Sequence, residues 1–159
     1  MNGLPPTSHY NTIDTKLISA KQFGFSSNKL DALAGYFGIA HKFDTDFELW
    51  ANCMNGDSKS LEYMRIYNEK DVEILEEVYL KLRPWIKNHP NVSLLNDIDE
   101  MQCSCCGGTN IELIPDKLYY TSVGGYNTFR CNDCGGISRG RKTVINKTKN
   151  KNTLISIGK

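Results

Sequence analysis

What the chain lacks narrows its class first. No apolar run approaches the ~20 residues that a membrane-spanning helix needs, and Met1–Asn11 carries neither the basic cluster nor the apolar block of a secretory leader. A cytoplasmic location is the expectation. Histidine is scarce: His9, His41 and His89 are scattered, and none stands at ligand spacing from a cysteine. A mixed Cys–His metal site therefore has no support. Net charge is also small, at +1 over 159 residues, but it is unevenly spread. Ser138–Lys159 holds seven Lys or Arg and no acid, leaving 12 basic against 18 acidic residues elsewhere, a balance of −6. The basic end is a candidate nucleic-acid contact; the alternative is a solvated tail. A hydrophobic content of 40% supports a modest core, in one domain or two small ones.

Cysteine is plentiful by comparison. Five of the six fall between residues 103 and 134, a density that suits metal binding in a reducing compartment better than a disulfide framework. Cys103–Gly108 and Cys131–Gly136 are two Cys-x-x-Cys-Gly-Gly knuckles with 24 residues between their cysteine pairs. Each offers two thiolates from a tight turn, and the following glycine allows the positive φ that points amide hydrogens at sulfur. Four thiolates form a closed tetrahedral shell that holds zinc for structure, with no open position for catalysis. Cys103, Cys106, Cys131 and Cys134 are the predicted ligands. Cys105 could replace a neighbour or remain a free thiol, and Cys53, lacking a partner at ligand spacing, is expected to be a small buried residue.

Between the knuckles, 112–114, 117–121 and 127–131 have strand composition around a Gly124-Gly125 turn, a pattern that resembles a zinc ribbon. So small a core should depend on its metal. Tyr119, Tyr120, Tyr126 and Phe129 supply aromatic surface, and Arg130, Arg139, Arg141 and Lys142 supply charge, a combination suited to stacking bases and neutralising phosphates. The alternative is that the aromatics fill the ribbon's core.

The longest regular pattern lies upstream. Leu61, Met64, Val72, Leu75, Val78, Tyr79 and Leu82 are spaced by helical steps, predicting one long helix over Asp57–Arg83, capped by Asp57 or Ser58 and stopped at Pro84. A shorter helix is predicted from a Ser26 or Ser27 cap, through Leu30, Leu33, Ala34 and Phe37, to Gly38. Residues 1–12 read as a loop, and 13–20 as a short helix or strand in which Asp14 is structural. The acids of 40–56, among them Asp44, Asp46 and Glu48, read as a solvated loop, with Lys42 and Trp50 as possible substrate contacts.

Within the long helix, Tyr67 and Asp71 are four residues apart and share a face. On a wet face such a pair suits metal-assisted phosphodiester hydrolysis; on a dry one it packs and salt-bridges. The blocks Ser26–Lys42, Phe47–Trp50, Tyr67–Val72 and Leu82–Asn91, taken in order, resemble the carboxyl-terminal half of phage and bacterial 3′→5′ exonucleases. These are ribonuclease H-like proteins of the DEDD type whose third motif is Tyr-x-x-x-Asp. The resemblance covers about the first ninety residues. It implies that Tyr67 orients the attacking water and that Asp71 is one ligand of two Mg²⁺ or Mn²⁺ ions. It also implies a bacterial or phage-infected host cytoplasm.

The family's Asp-x-Glu and its second-motif Asp lie upstream of everything matched here, and Met1–Pro6 looks like the linker after that second motif. Three of the four family carboxylates are thus expected to be missing, which leaves this chain inactive alone and its apolar stripes uncovered. The expected architecture is α+β. A mostly helical partial exonuclease segment spans 1–92, a linker 93–102, a Cys₄ zinc ribbon 103–140 and a basic tail 141–159. The expected function is part of a 3′→5′ DNA exonuclease needing a complementary half or replication protein. An inactive zinc-ribbon nucleic-acid-binding or regulatory module is the alternative.

Overall fold

The computed structural model describes residues 11–39, 45–155 and 157. His9, His41, Lys42, Asp44 and most of the loop expected at 1–12 lie outside them. The fold is α+β, with five helices and a three-stranded antiparallel sheet among the described residues. Contacts divide the chain into two compact units, Met1–Leu82 and Arg83–Lys159.

The first unit is helical: α1 (Thr15–Gln22), α2 (Leu30–Phe37), α3 (Phe47–Met54) and α4 (Ser58–Leu82). Polar side chains fix three of the starts. Asp14, Asp46 and Asp57 accept the backbone N–H of Leu17, Leu49 and Ser60 at 3.0, 2.8 and 2.8 Å, satisfying donors that a first turn leaves open. The Asp57 carboxyl is held below its ordinary pKa by the Ser60 amide it accepts. Gly38 ends α2 in the left-handed region at φ 69°, and Ile39 N–H returns to Ala34 O at 2.9 Å, a closure that lets Ile39 turn back into the core.

That core joins Leu33, Ala34 and Ile39 to Ile74, Val78 and Leu82 of α4, flanked by Ile18, Phe23, Phe25, Leu30 and Phe37. Each fully buried aliphatic side chain contributes about 1.5–3 kcal/mol, so the carboxyl-terminal half of α4 is the anchor.

The buried stripe of α4 is not the one expected. Val78 and Leu82 are buried, but so is Ile74, which the expected stripe leaves out. Leu61, Val72 and Leu75 stay 47%, 66% and 42% exposed. At 100° per residue, Tyr67, Asp71, Ile74, Val78 and Leu82 fall within an arc of about 80°. Leu61, Val72 and Leu75 occupy the adjoining arc. The apolar sector of α4 is wider than α1, α2 and α3 cover. The opposite side is charged: Arg65 bonds Glu62 and Glu69, and Lys70 bonds Glu73.

The second unit is a meander, β1 (Ile111–Thr121), β2 (Gly124–Cys131) and β3 (Ile137–Thr143), in the order β1-β2-β3. The two short segments expected at 112–114 and 117–121 are one strand, broken in register between Leu113 and Leu118, where Asp116 takes φ 56°. β3 carries the ribbon past residue 140 to Thr143, and α5 (Lys147–Lys151) follows within the basic end.

Upstream, the second unit begins before the expected linker at 93–102. Val92 N–H donates to Ser104 O at 2.9 Å, and Asn96 and Val92 press so close to Gly107 that a Cβ there would meet Asn96 Nδ2 at 2.6 Å. These contacts tie the short helical turn Val92–Leu95 to the ribbon; the turn Arg83–Trp85 precedes it.

Candidate metal centre and nucleic-acid face

The two knuckles fold by the same rule. In the first, Cys103 N–H donates to Gly108 O at 2.8 Å and Gly107 N–H to Cys103 O at 2.9 Å; in the second, Cys131 N–H donates to Gly136 O and Gly135 N–H to Cys131 O, both at 2.9 Å. The turn needs a residue in the left-handed region, and Gly107 and Gly135 supply it at φ 76° and 74°. The next amide then reaches sulfur: Gly108 N–H to Cys106 Sγ and Gly136 N–H to Cys134 Sγ, each at 3.4 Å. A Cβ on Gly136 would stand 3.2 Å from Cys134 Sγ and 3.4 Å from Cys105 Sγ.

Paired by the ribbon, the knuckles bring Cys103, Cys106, Cys131 and Cys134 together, with all four sulfurs within 4.8 Å of one another. Cys103 and Cys134 are 3.6 Å apart, as are Cys106 and Cys131. A disulfide needs ~2.05 Å, whereas four sulfurs ~2.3 Å from one central ion lie ~3.8 Å from each other. The cluster can hold a metal ion.

Its electrostatics fit the same role. Burial works against charge at Cys103, but the Cys106 and Cys105 amides and the Cys134 thiol hold its pKa below the ordinary thiol value. Burial pushes Cys106 and Cys134 up, so these two carry protons that an incoming cation must displace. Cys105 stands outside the four-sulfur group, its thiol pushed up by burial and by the neighbouring Cys103 charge. Cys53 is half-buried rather than buried.

Sequence reasoning missed Asp133, which accepts from Asn110 Nδ2 at 3.2 Å and places Oδ2 4.0 Å from Cys131 Sγ. An acid inside the second knuckle was the available signal.

The predicted aromatic and basic residues divide between the faces of the sheet. Tyr119 lies directly opposite Tyr126, and Arg139 opposite Thr128. Alternation along β2 puts Tyr119, Tyr126, Thr128, Arg130 and Arg139 on one face. Arg139 closes that group, its guanidinium carbon 4.3 Å from the Tyr126 ring centre and 5.9 Å from that of Tyr119.

Tyr120 is opposite Gly125 and belongs to the other face, where a Cβ on Gly125 would meet its ring at 3.0 Å and Ile145 at 3.1 Å. Arg141 and Lys142 are exposed where β3 slips register between Arg139 and Thr143. Phe129 is half-buried, 3.4 Å from a Cβ built on Gly140, so it packs into the sheet's other side.

Comparison with protein-family models, with curated proteins and with solved structures found no match. The chemistry of the chain therefore rests on its own residues.

Tyr67 and Asp71 sit one turn apart on α4, both partly buried, at the amino-terminal end of the stripe that Ile74, Val78 and Leu82 continue into the core. Asp71 does not stand in any group of three or more clustered ligand side chains; among the described residues the four cysteines form the sole such group. A pair of Mg²⁺ or Mn²⁺ ions thus lacks a donor set in the described residues.

Proposed function

We propose that this chain is part of a 3′→5′ DNA exonuclease whose remaining carboxylates come from outside these 159 residues. One observation carries the reading. The Tyr67/Asp71 pair lies beside an uncovered apolar sector of α4, where Val72, next to Asp71, is 66% exposed. An element docking there would bury Leu61, Val72 and Leu75 and bring its own groups alongside Asp71. In the completed site Asp71 would be one ligand of the Mg²⁺ or Mn²⁺ ions and Tyr67 would orient the attacking water.

In the second unit, Cys103, Cys106, Cys131 and Cys134 would hold one structural Zn²⁺. The all-sulfur donor set and its spacing suit zinc. The ion would fix the ribbon, whose sheet would hold the nucleic acid.

A second reading is favoured by Arg139 lying over Tyr126 and near Tyr119: a nucleic-acid-binding module with no catalysis of its own. A digestion assay separates the two. The substrate is 3′-labelled DNA with Mg²⁺ or Mn²⁺, given this chain alone and then with a polypeptide carrying the Asp-x-Glu and second-motif Asp. Nucleotide release only in the mixture, lost on Asp71→Ala, is the expected result. No release in either case, with DNA binding intact, would leave the binding module.

A further inference from the structure

We infer that the Tyr119–Arg139–Tyr126 face of the ribbon is a stacking site for an unpaired nucleotide, so that the second unit takes single-stranded and not duplex nucleic acid. The inference rests on the nucleic-acid reading above and deepens it.

Three observations on one sheet face converge. Tyr119 is 53% exposed, although a tyrosine opposite another tyrosine could have closed against it. The outer ring surface is therefore available. Arg139 is already set: it lies over Tyr126 at 4.3 Å and bonds Gly140 O through Nη1 at 3.1 Å. A guanidinium has five N–H donors, so held over the ring in this way it keeps donors for a phosphate without being ordered on binding. The charge then matches the ligand. Arg130 shares the face, opposed in register by Glu112, and the stretch from Ser138 onward is basic and free of acids.

Strandedness follows from what a ring on a flat sheet can reach. In a duplex the π-faces of bases are stacked away and only edges and phosphates are presented. A half-open tyrosine ring on the face of a three-stranded sheet finds no base face to stack on in either groove. An unpaired base can lie on Tyr119 while its phosphate meets Arg139, the combination of stacking and charge by which single strands are held. Tyr120, on the opposite face against Gly125 and Ile145, takes no part.

The test uses the full zinc-loaded chain and fluorescence anisotropy at several salt concentrations. The probes are oligothymidylate, oligouridylate and a duplex of the same length. Both single strands should bind roughly tenfold or more tightly than the duplex. Comparing thymidylate with uridylate decides between DNA and RNA as the source.

Tyr119→Ala should weaken single-strand binding roughly tenfold while Tyr119→Phe restores it, since the ring and not the hydroxyl makes the contact. Arg139→Lys should weaken binding severalfold with the salt slope kept, because charge survives and planar stacking does not. Duplex bound as tightly as single strand, or Tyr119→Ala without effect on a folded chain, overturns the inference and leaves the nucleic-acid reading standing. Failure of every probe to bind at low salt overturns both.

Discussion

Stripping a metal ion held by the four-cysteine cluster should unfold Arg83–Lys159 and spare the helical unit. The reason lies in what each unit buries. The helical core joins six buried hydrophobic residues. In the ribbon unit, Cys103 and Cys131 are the buried hydrophobic residues among those described, and Leu113, Leu118, Ile137 and Val144 are exposed. A structural zinc contributes about 10–16 kcal/mol to such a fold, whereas whole small domains are stable by only about 5–15 kcal/mol. Losing the ion would therefore remove an amount comparable to the whole stability of so small a domain.

Amide-resolved NMR during chelator titration reads both units at once. Ribbon amides should collapse to the unfolded region at about one chelated ion per chain, and those of Leu33, Ala34, Ile74 and Val78 should not move. Strand amides still dispersed after the metal is shown to be gone would refute the reasoning.

Acid should have the same effect. Burial raises Cys106 and Cys134 above ordinary thiols, so the metal-free site holds protons that the loaded site has shed. The loaded form binds fewer protons, and its advantage is lost as pH falls. Loading should release about two or more protons per ion, measurable in weakly buffered solution; no release would contradict this. In the helical unit, Ile74→Ala should cost about 2–5 kcal/mol by denaturant unfolding, and Val72→Ala, at an exposed position, about 0.5 kcal/mol or less. Equal losses would mean that the buried face of α4 is wrongly assigned. Thr128 is 4% exposed and its hydroxyl has no hydrogen-bond partner among the described residues, so Thr128→Val should stabilise the ribbon by about 1 kcal/mol. A loss would show that the hydroxyl is satisfied.

The four-cysteine cluster was legible because its signal is local. Two knuckles with glycines at the turn specify their own geometry, and two strands suffice to pair them. The long helix was legible for the same reason, since its period, its Asp57 cap and Pro84 all act within a few residues.

What escaped depended on distant partners. The apolar sector of α4 spans more than one face, and only the packing of α2 and its neighbours decides that Ile74 goes in while Val72 stays out. β3 was missed because Ile137–Thr143 is basic and glycine-containing, with little strand character of its own; it becomes a strand by pairing with β2. That Tyr119 and Tyr120 face opposite ways follows from strand alternation, but which of them joins Tyr126 follows from a register set after the Leu113/Leu118 irregularity, which no pattern of tyrosines announces.

The most direct measurement of where nucleic acid is held compares single-stranded DNA binding by the intact chain, Asp71→Ala and Cys131→Ser, each prepared with zinc in the buffer. The account predicts unchanged affinity for Asp71→Ala and loss of binding, with loss of ribbon structure, for Cys131→Ser. Binding that survives Cys131→Ser and falls with Asp71→Ala would place the contact on the helical unit and contradict it.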